Sequence, residues 1–155
     1  MGKKDRFYKE NTRDRMRKRL GNLIIKEEGK DDIKINVWGN CWKNKDNKFW
    51  GGITINIPVS DIDRYFSIMK LVMRRCPTFK MVYKRASNYY ATDSYTLNTY
   101  ALLDTNTLEY AVNMLKNIRG KFKYNTDGNI FTADFEFDIE HDFKYVVDST
   151  ILANL

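Results

Sequence analysis

Histidine occurs once in this chain, and cysteine and proline occur twice each. A lone His141 excludes two-histidine acid–base catalysis and paired-histidine metal sites within one chain. Cys41, Cys76 and His141 cannot complete a closed four-ligand zinc site. Two cysteines make no disulfide framework, and in an intracellular setting they are expected as reduced thiols. A Cys–His nucleophile stays open on counting alone, but Cys76 falls on an apolar helical stripe and Cys41 lies between Trp38 and Trp42, positions that suit packing. No phosphate-cradling G-x-x-x-x-G-K-[ST] loop occurs. No apolar stretch reaches the roughly eighteen residues of a membrane span, and no apolar leader follows the charged start. The expected location is therefore the cytoplasm, without membrane contact.

What is present is aromatic, rich in asparagine and basic. Phe, Tyr and Trp make up 14% of the 155 residues, more than an ordinary core needs, and there are fifteen asparagines. The net charge is +7. Residues 1–20 hold nine cations (Lys3, Lys4, Arg6, Lys9, Arg13, Arg15, Arg17, Lys18 and Arg19) against Asp5, Glu10 and Asp14. About six of the seven net charges thus sit there, and the remaining body is nearly neutral. This divides the chain into a basic N-terminal arm or helix, 1–20, and a single domain, 21–155.

The composition of residues 5–26 predicts a helix, polar all round until Leu20, Leu23, Ile24 and Ile25. Ile33, Ile35 and Val37 alternate with Lys34 and Asn36, and Ile53, Ile55 and Ile57 alternate in turn, so 33–57 predicts a hairpin about the polar turn 44–47. Ser60 is the expected cap of a helix whose apolar arc is Ile62, Tyr65, Phe66, Met69, Val72, Met73 and Cys76, ended by Pro77. Its opposite face carries Arg64, Lys70, Arg74 and Arg75, with Ile68 and Leu71 exposed among them. Strands are expected over 79–85 and 94–103. Asn106 and Glu109 resemble a capping box for a second helix with the stripe Leu108, Ala111, Val112, Leu115 and Ile118, ended by Gly120. A last hairpin is expected over 122–126 and 131–147 about Asp127-Gly128. The expected fold is α+β: an N-terminal basic helix, then ββα-ββα-ββ, with an antiparallel sheet covered by helices on one face.

Two groups of residues point to chemistry. Asp134, Glu136, Asp138, Glu140 and Asp142 share one strand face, with Phe135, Phe137, Ile139, His141 and Phe143 on the other. Such a row suits either a solvated face protected by charge or an Mg²⁺ site for phosphodiester chemistry. The basic groups suit phosphate, because lysine and arginine displace condensed counterions. The arm offers Arg13, Arg15, Arg17, Lys18 and Arg19, the first hairpin Lys34 and Asn36, and the helix Arg64, Arg74 and Arg75. Segment 79–102 offers Lys80, Lys84, Arg85, Asn88 and Tyr90 among further tyrosines, residue types that contact phosphates, base edges and base faces.

The order helix–ββαββα, with Gly21-Asn22-Leu23-Ile24-Ile25-Lys26-Glu27-Glu28-Gly29 ahead of the first strand, resembles one repeat of the LAGLIDADG homing endonucleases over residues 20–120. The resemblance implies a saddle-shaped sheet over DNA, read by hairpins 33–57 and 79–103, with Glu28 as the metal-binding acid. The motif is degenerate. Leu23 stands where a small residue allows close helix packing, and Lys26 and Glu27 replace Asp and Ala, so the implied catalysis is in doubt. A ferredoxin-like variant has the same ββα order. Lys48-Phe49-Trp50-Gly51-Gly52-Ile53 is faintly similar to an RRM sheet motif, with a different aromatic spacing.

The function expected from these features is a DNA-binding regulator without catalysis, a repressor or site blocker of a phage or mobile element. Its expected partner is double-stranded DNA, with RNA and a homodimer left open, and it needs no cofactor. A metal-dependent endonuclease using Glu28 or the 134–142 acids with Mg²⁺ is the first alternative. A phage-encoded inhibitor that binds a host protein is the second.

Overall fold

The computed structural model describes residues 15–99, 102–153 and 155. Strands β1 (Met16–Lys26), β2 (Ile33–Lys43) and β3 (Phe49–Pro58) lead through a 3-10 turn to helix α1 (Ile62–Arg75). Strands β4 (Phe79–Lys84), β5 (Ser94–Thr99) and β6 (Leu103–Asp104) precede α2 (Thr105–Lys116). The hairpin β7 (Arg119–Thr126) and β8 (Asn129–Ile139) precedes α3 (Phe143–Ala153). One antiparallel sheet has the order β4-β5-β3-β2-β1-β8-β7, with β6 also pairing β3. Both edge strands, β4 and β7, touch α1, so the sheet curls about that helix as a half-barrel.

The alternation that marks β2 and β3 fixes the faces. Ile35, Val37, Cys41, Ile53, Ile55 and Ile57 point to the helices with Leu97, Phe122, Phe135 and Phe137. From the helix side, Tyr65, Ile68, Met69 and Val72 of α1, Leu108, Ala111, Val112 and Leu115 of α2, and Phe143 and Val146 of α3 close the core. Among the described residues the other sheet face carries no helix. On it stand Lys34, Asn36, Trp38, Asn40 and Trp42 of β2 and their partners, including Thr54 opposite Trp38 and Trp50 opposite Trp42.

The structure corrects the expected order of elements. Residues 16–26 form a strand, not the end of a basic helix, and residues 1–14 of that expectation lie outside the described residues. Neither the LAGLIDADG-like saddle nor the ferredoxin-like variant describes a seven-strand path with β1 inside it. Segment 21–29 runs through β1 into a turn, so no helix end presents Glu28, which is exposed in the β1–β2 connection. The expected strand 131–147 stops at Ile139, and Asp142 accepts from Tyr145 N (3.1 Å) to start a third helix. The arc of α1 is turned: Ile68 is buried, Leu71 packs against the core, and Phe66 is exposed under Lys70 (4.8 Å). No side chain caps α1, whereas Asp104, not Asn106, caps α2 by accepting from Thr107 N (2.8 Å). Gly120 lies within β7, and α2 ends at Lys116.

β1 changes register once. Arg19 pairs with Trp38 and Gly21 with Val37, so Leu20 is an extra residue, a β-bulge. Before it Arg17 and Arg19 face away from the helices; after it Leu23 and Ile25 face them. Leu20 itself is fully buried, and its carbonyl accepts from Glu140 N (2.9 Å) and His141 N (3.1 Å), which ties the bulge to the start of α3. Gly21 lets β8 approach: a Cβ there would stand 2.1 Å from the Asp138 carbonyl oxygen. Gly51 does the same for β2, where a Cβ would stand 2.2 Å from the Asn40 carbonyl oxygen. Gly21→Ala and Gly51→Ala should each cost on the order of 2 kcal/mol or more, because backbone must move. Urea unfolding reads this, and an unchanged midpoint in either variant would contradict the packing described.

Candidate nucleic-acid interface

The face without helices gathers several cations of the sequence reading. Arg17, Arg19, Lys34 and Asn36 stand on it by strand register, as do Lys80 and Lys84 of β4. Lys18 has the opposite parity, beside Gly39. Arg13 lies outside the described residues. Arg64, Arg74 and Arg75 belong to α1, on the far side of the sheet, and Arg64 lies over the Tyr124 ring (5.2 Å). Arg85, Asn88 and Tyr90 occupy the loop 85–93 that joins β4 to β5.

The cations of this face are not equivalent. Arg19 donates to both carboxylate oxygens of Glu140 (2.8 and 3.3 Å), which raises its own pKa and lowers that of Glu140. Asn22, its amide oriented by its neighbours, donates to Asn36 Oδ1 (2.9 Å) and accepts from Arg19 (3.0 Å). Arg17 instead stacks its guanidinium over Trp38 (4.2 Å), and partial desolvation, with the neighbouring Arg15 charge, lowers its pKa. Among the described residues Arg15 and Arg17 pair with no carboxylate.

The acidic row sits at the other end of the same face, and two of its members, Glu136 and Glu140, are ion-paired there. Asp134 and Glu136 of β8 lie between Lys26 of β1 and Lys121 and Arg119 of β7, and Lys26 Nζ reaches Glu136 at 3.0 Å. Glu140 and Asp142 fall beyond the strand, and His141 stacks on Tyr145 (4.0 Å) instead of continuing the apolar face. Among the described residues no three His, Cys, Asp or Glu side chains converge as metal ligands. Cys41 and Cys76 are both buried and unpaired, and burial raises the Cys41 thiol pKa. No helix among the described residues is long and apolar enough to cross a membrane.

Across the β1-to-β4 part of this face lies a groove of about 320 Å³, lined by Arg15, Arg17, Asn40, Thr54, Asn56, Val82, Tyr83, Lys84, Thr96 and Asn98. The sequence reading did not single out Asn40, Thr54 or Asn56, nor Trp38, Trp42 and Trp50, which are half-buried on the same face. Their signal was the even-numbered partner of the isoleucine alternation: wherever the odd positions enter the core, the even ones form a second, polar and aromatic surface.

Loop 85–93 leaves the groove at Lys84. Asp93 clips it by accepting from Tyr83 Oη (2.5 Å) and Ala86 N (2.7 Å). Asn88 Oδ1 accepts from Tyr90 N (2.9 Å) and Ala91 N (3.0 Å), and this turn displays Tyr89 and Tyr90 almost wholly to solvent, edge to face at 5.6 Å.

The Tyr83 hydroxyl, then the Ala86 N–H, hold the Asp93 carboxyl below its ordinary 3.8. Its contribution is therefore present above 3.8 and lost as pH falls through the lower folded value. Hydrogen exchange in loop 85–93 should stay protected from neutrality down to about pH 4 and rise below it. Asp93→Asn should expose the loop at every pH; protection equal to wild type at neutrality would refute the clip. No protein-family model matches the chain, and no curated protein or solved structure matches it significantly.

Proposed function

We propose that this protein binds nucleic acid on the helix-free face of its sheet and acts by occupancy, without catalysis, as a repressor or site blocker. The observation that carries this reading is the meeting, on one open surface, of arginines that pair with no described carboxylate, aromatic rings and asparagines. Arg15, Arg17 and Lys84 surround the groove, half-buried Trp38, Trp42 and Trp50 adjoin it, and Tyr89 and Tyr90 stand beyond its end.

This pairing of rings with cations favours single strands over duplex DNA. Stacking on an aromatic side chain needs an unpaired base, and cations along a strand-lined groove follow a single backbone. Duplex DNA, which needs only the charge, enters the test as the competitor.

Binding of labelled single-stranded and duplex oligomers is measured by anisotropy against salt. Log affinity should fall with log salt with a slope of several units. Arg15→Ala and Arg17→Ala should each reduce it by about 0.7 on single strands. Tyr90→Ala, at a side chain 93% exposed, should weaken single strands roughly tenfold and duplex little. Point substitutions are used because deleting residues 16–19 would remove more than a third of β1. A slope near zero would overturn the reading.

A further inference from the structure

We propose that the groove between Asn40 and Asn98 is a pocket for one unpaired nucleobase that presents an exocyclic amine: adenine, cytosine or guanine, and not thymine or uracil. The proposal rests on the nucleic-acid reading above and specifies what the face reads.

The groove is built by register. Thr54 of β3 lies opposite Asn98 of β5, and Asn56 lies opposite Thr96. Asn40 of β2 reaches Thr54 from the other side, donating Nδ2 to its Oγ1 (3.5 Å). Thr96 Oγ1 donates to Asn56 Oδ1 (3.2 Å). These bonds leave two acceptors over. Asn40 Oδ1 and Asn98 Oδ1 are buried without a hydrogen-bond partner among the described residues, and both side chains line the groove. Asn40 as a whole is only 7% exposed. Buried polar atoms in folded proteins are nearly always paired, so two orphans in one groove mark an incomplete site.

The chemistry of the missing group follows from these atoms. Two carbonyl-type oxygens need N–H or O–H donors, which phosphate and carboxylate lack. An exocyclic amine carries two N–H groups in the plane of its ring. Thymine and uracil flank their single N–H with two carbonyl oxygens, which would face the amide oxygens and be repelled. Val82, opposite Thr96 on the same face and 40% exposed, gives the pocket an apolar wall for a ring. Arg15 and Arg17 at the rim face the phosphates on either side of the base. The volume lies at the small end of the range for ligand sites, which suits one ring system and not a helix. In a duplex the same base edge is already paired, so only a single strand can enter.

The test uses the full chain and single-stranded oligomers of about twelve nucleotides. The host is all thymine, or all uracil in RNA, with one central adenine, cytosine, or purine base lacking the amine. Adenine and cytosine should bind about tenfold more tightly than the host, and the amine-free purine should lose that gain. Asn98→Leu should abolish the preference for adenine and cytosine over the host. Its thermal midpoint should rise or stay level, because it removes a buried orphan acceptor. A purely structural asparagine would give the opposite pair of results, a lower midpoint and an intact preference, and would overturn the pocket. Wild-type binding without an amine preference would overturn it too, while leaving the nucleic-acid reading in place. Failure to bind any oligomer would remove both. Should Asn98→Leu not fold, the amine-free oligomer on the wild type decides alone. The DNA and RNA arms show which sugar the face accepts.

Discussion

The extra residue at Leu20 sets the geometry of both faces. The sequence Arg17-Lys18-Arg19-Leu20-Gly21-Asn22-Leu23 cannot alternate strictly without placing the arginines on the same side as Leu23 and Ile25. The bulge resolves that conflict by adding one residue on β1 against β2. Leu20 enters the core, the arginines stay outside, and the strand continues with Leu23 and Ile25 inward. The same residue offers its carbonyl to Glu140 and His141, so the turn into α3 hangs on the bulge. β1 also joins the two halves of the sheet, with β2 on one side and β8 on the other. Gly21 permits the second contact because no side chain fits between it and the Asp138 backbone.

From this follows a separation of tasks between the faces. All three helices contact the apolar face, and α1 touches both edge strands, so burial and the hydrophobic contribution to stability are concentrated there. The open face contributes less to the core and is left to polar groups. Its charge is uneven. At the β8 end, Lys26 meets Glu136 and Arg19 meets Glu140, and exposed pairs of this kind add little stability but cancel local potential. At the β2–β5 end Arg15 and Arg17, beside the groove, have no such partners among the described residues. Arginines that the sequence places in a basic arm thus belong in part to a sheet surface, where Trp38 fixes one of them.

Much of this was legible residue by residue, and the failures have physical causes. The isoleucine alternations of β2 and β3, the stripe Leu108–Ile118 and the Asp127-Gly128 turn, whose residues have φ of 53° and 80°, are strong local signals. β1 was not legible because Met, Arg, Lys and Leu are good helix formers, and the bulge breaks the period that would have revealed a strand. Its pairing with β8, more than a hundred residues away, overrides that propensity. α3 was hidden because the alternation of β8 runs on through His141 and Phe143; only Asp142, a helix cap, marks the change. In α1 Phe66 looked like core, but Lys70 lies over it and Ile68 takes the buried position. For the site, the cations were visible as composition, whereas the groove was not, since only β3 brings Asn40 and Asn98 to either side of Thr54.

The asparagines are informative because they are poor choices for a sheet judged by stability alone. Asn is depleted in strands, and a β-branched residue at position 40 or 98 would pack against Thr54 and Val82 without stranding an amide oxygen. The chain instead places Asn36, Asn40, Asn56 and Asn98 on one face, two of them with buried, unanswered acceptors. The well-paired members show that the fold can satisfy such groups: Asn56 has Thr96, and Asn36 has Asn22. The unsatisfied ones are therefore not a general property of an asparagine-rich composition. They coincide with the groove, with the two arginines that pair with no described carboxylate, and with the edge that leads into the tyrosine loop. On the proposed reading, a nucleic-acid strand runs from Arg15 and Arg17 across the asparagines to Tyr89 and Tyr90. On the same reading, the protein accepts a less stable apo sheet there because the missing hydrogen bonds are made only with the correct base.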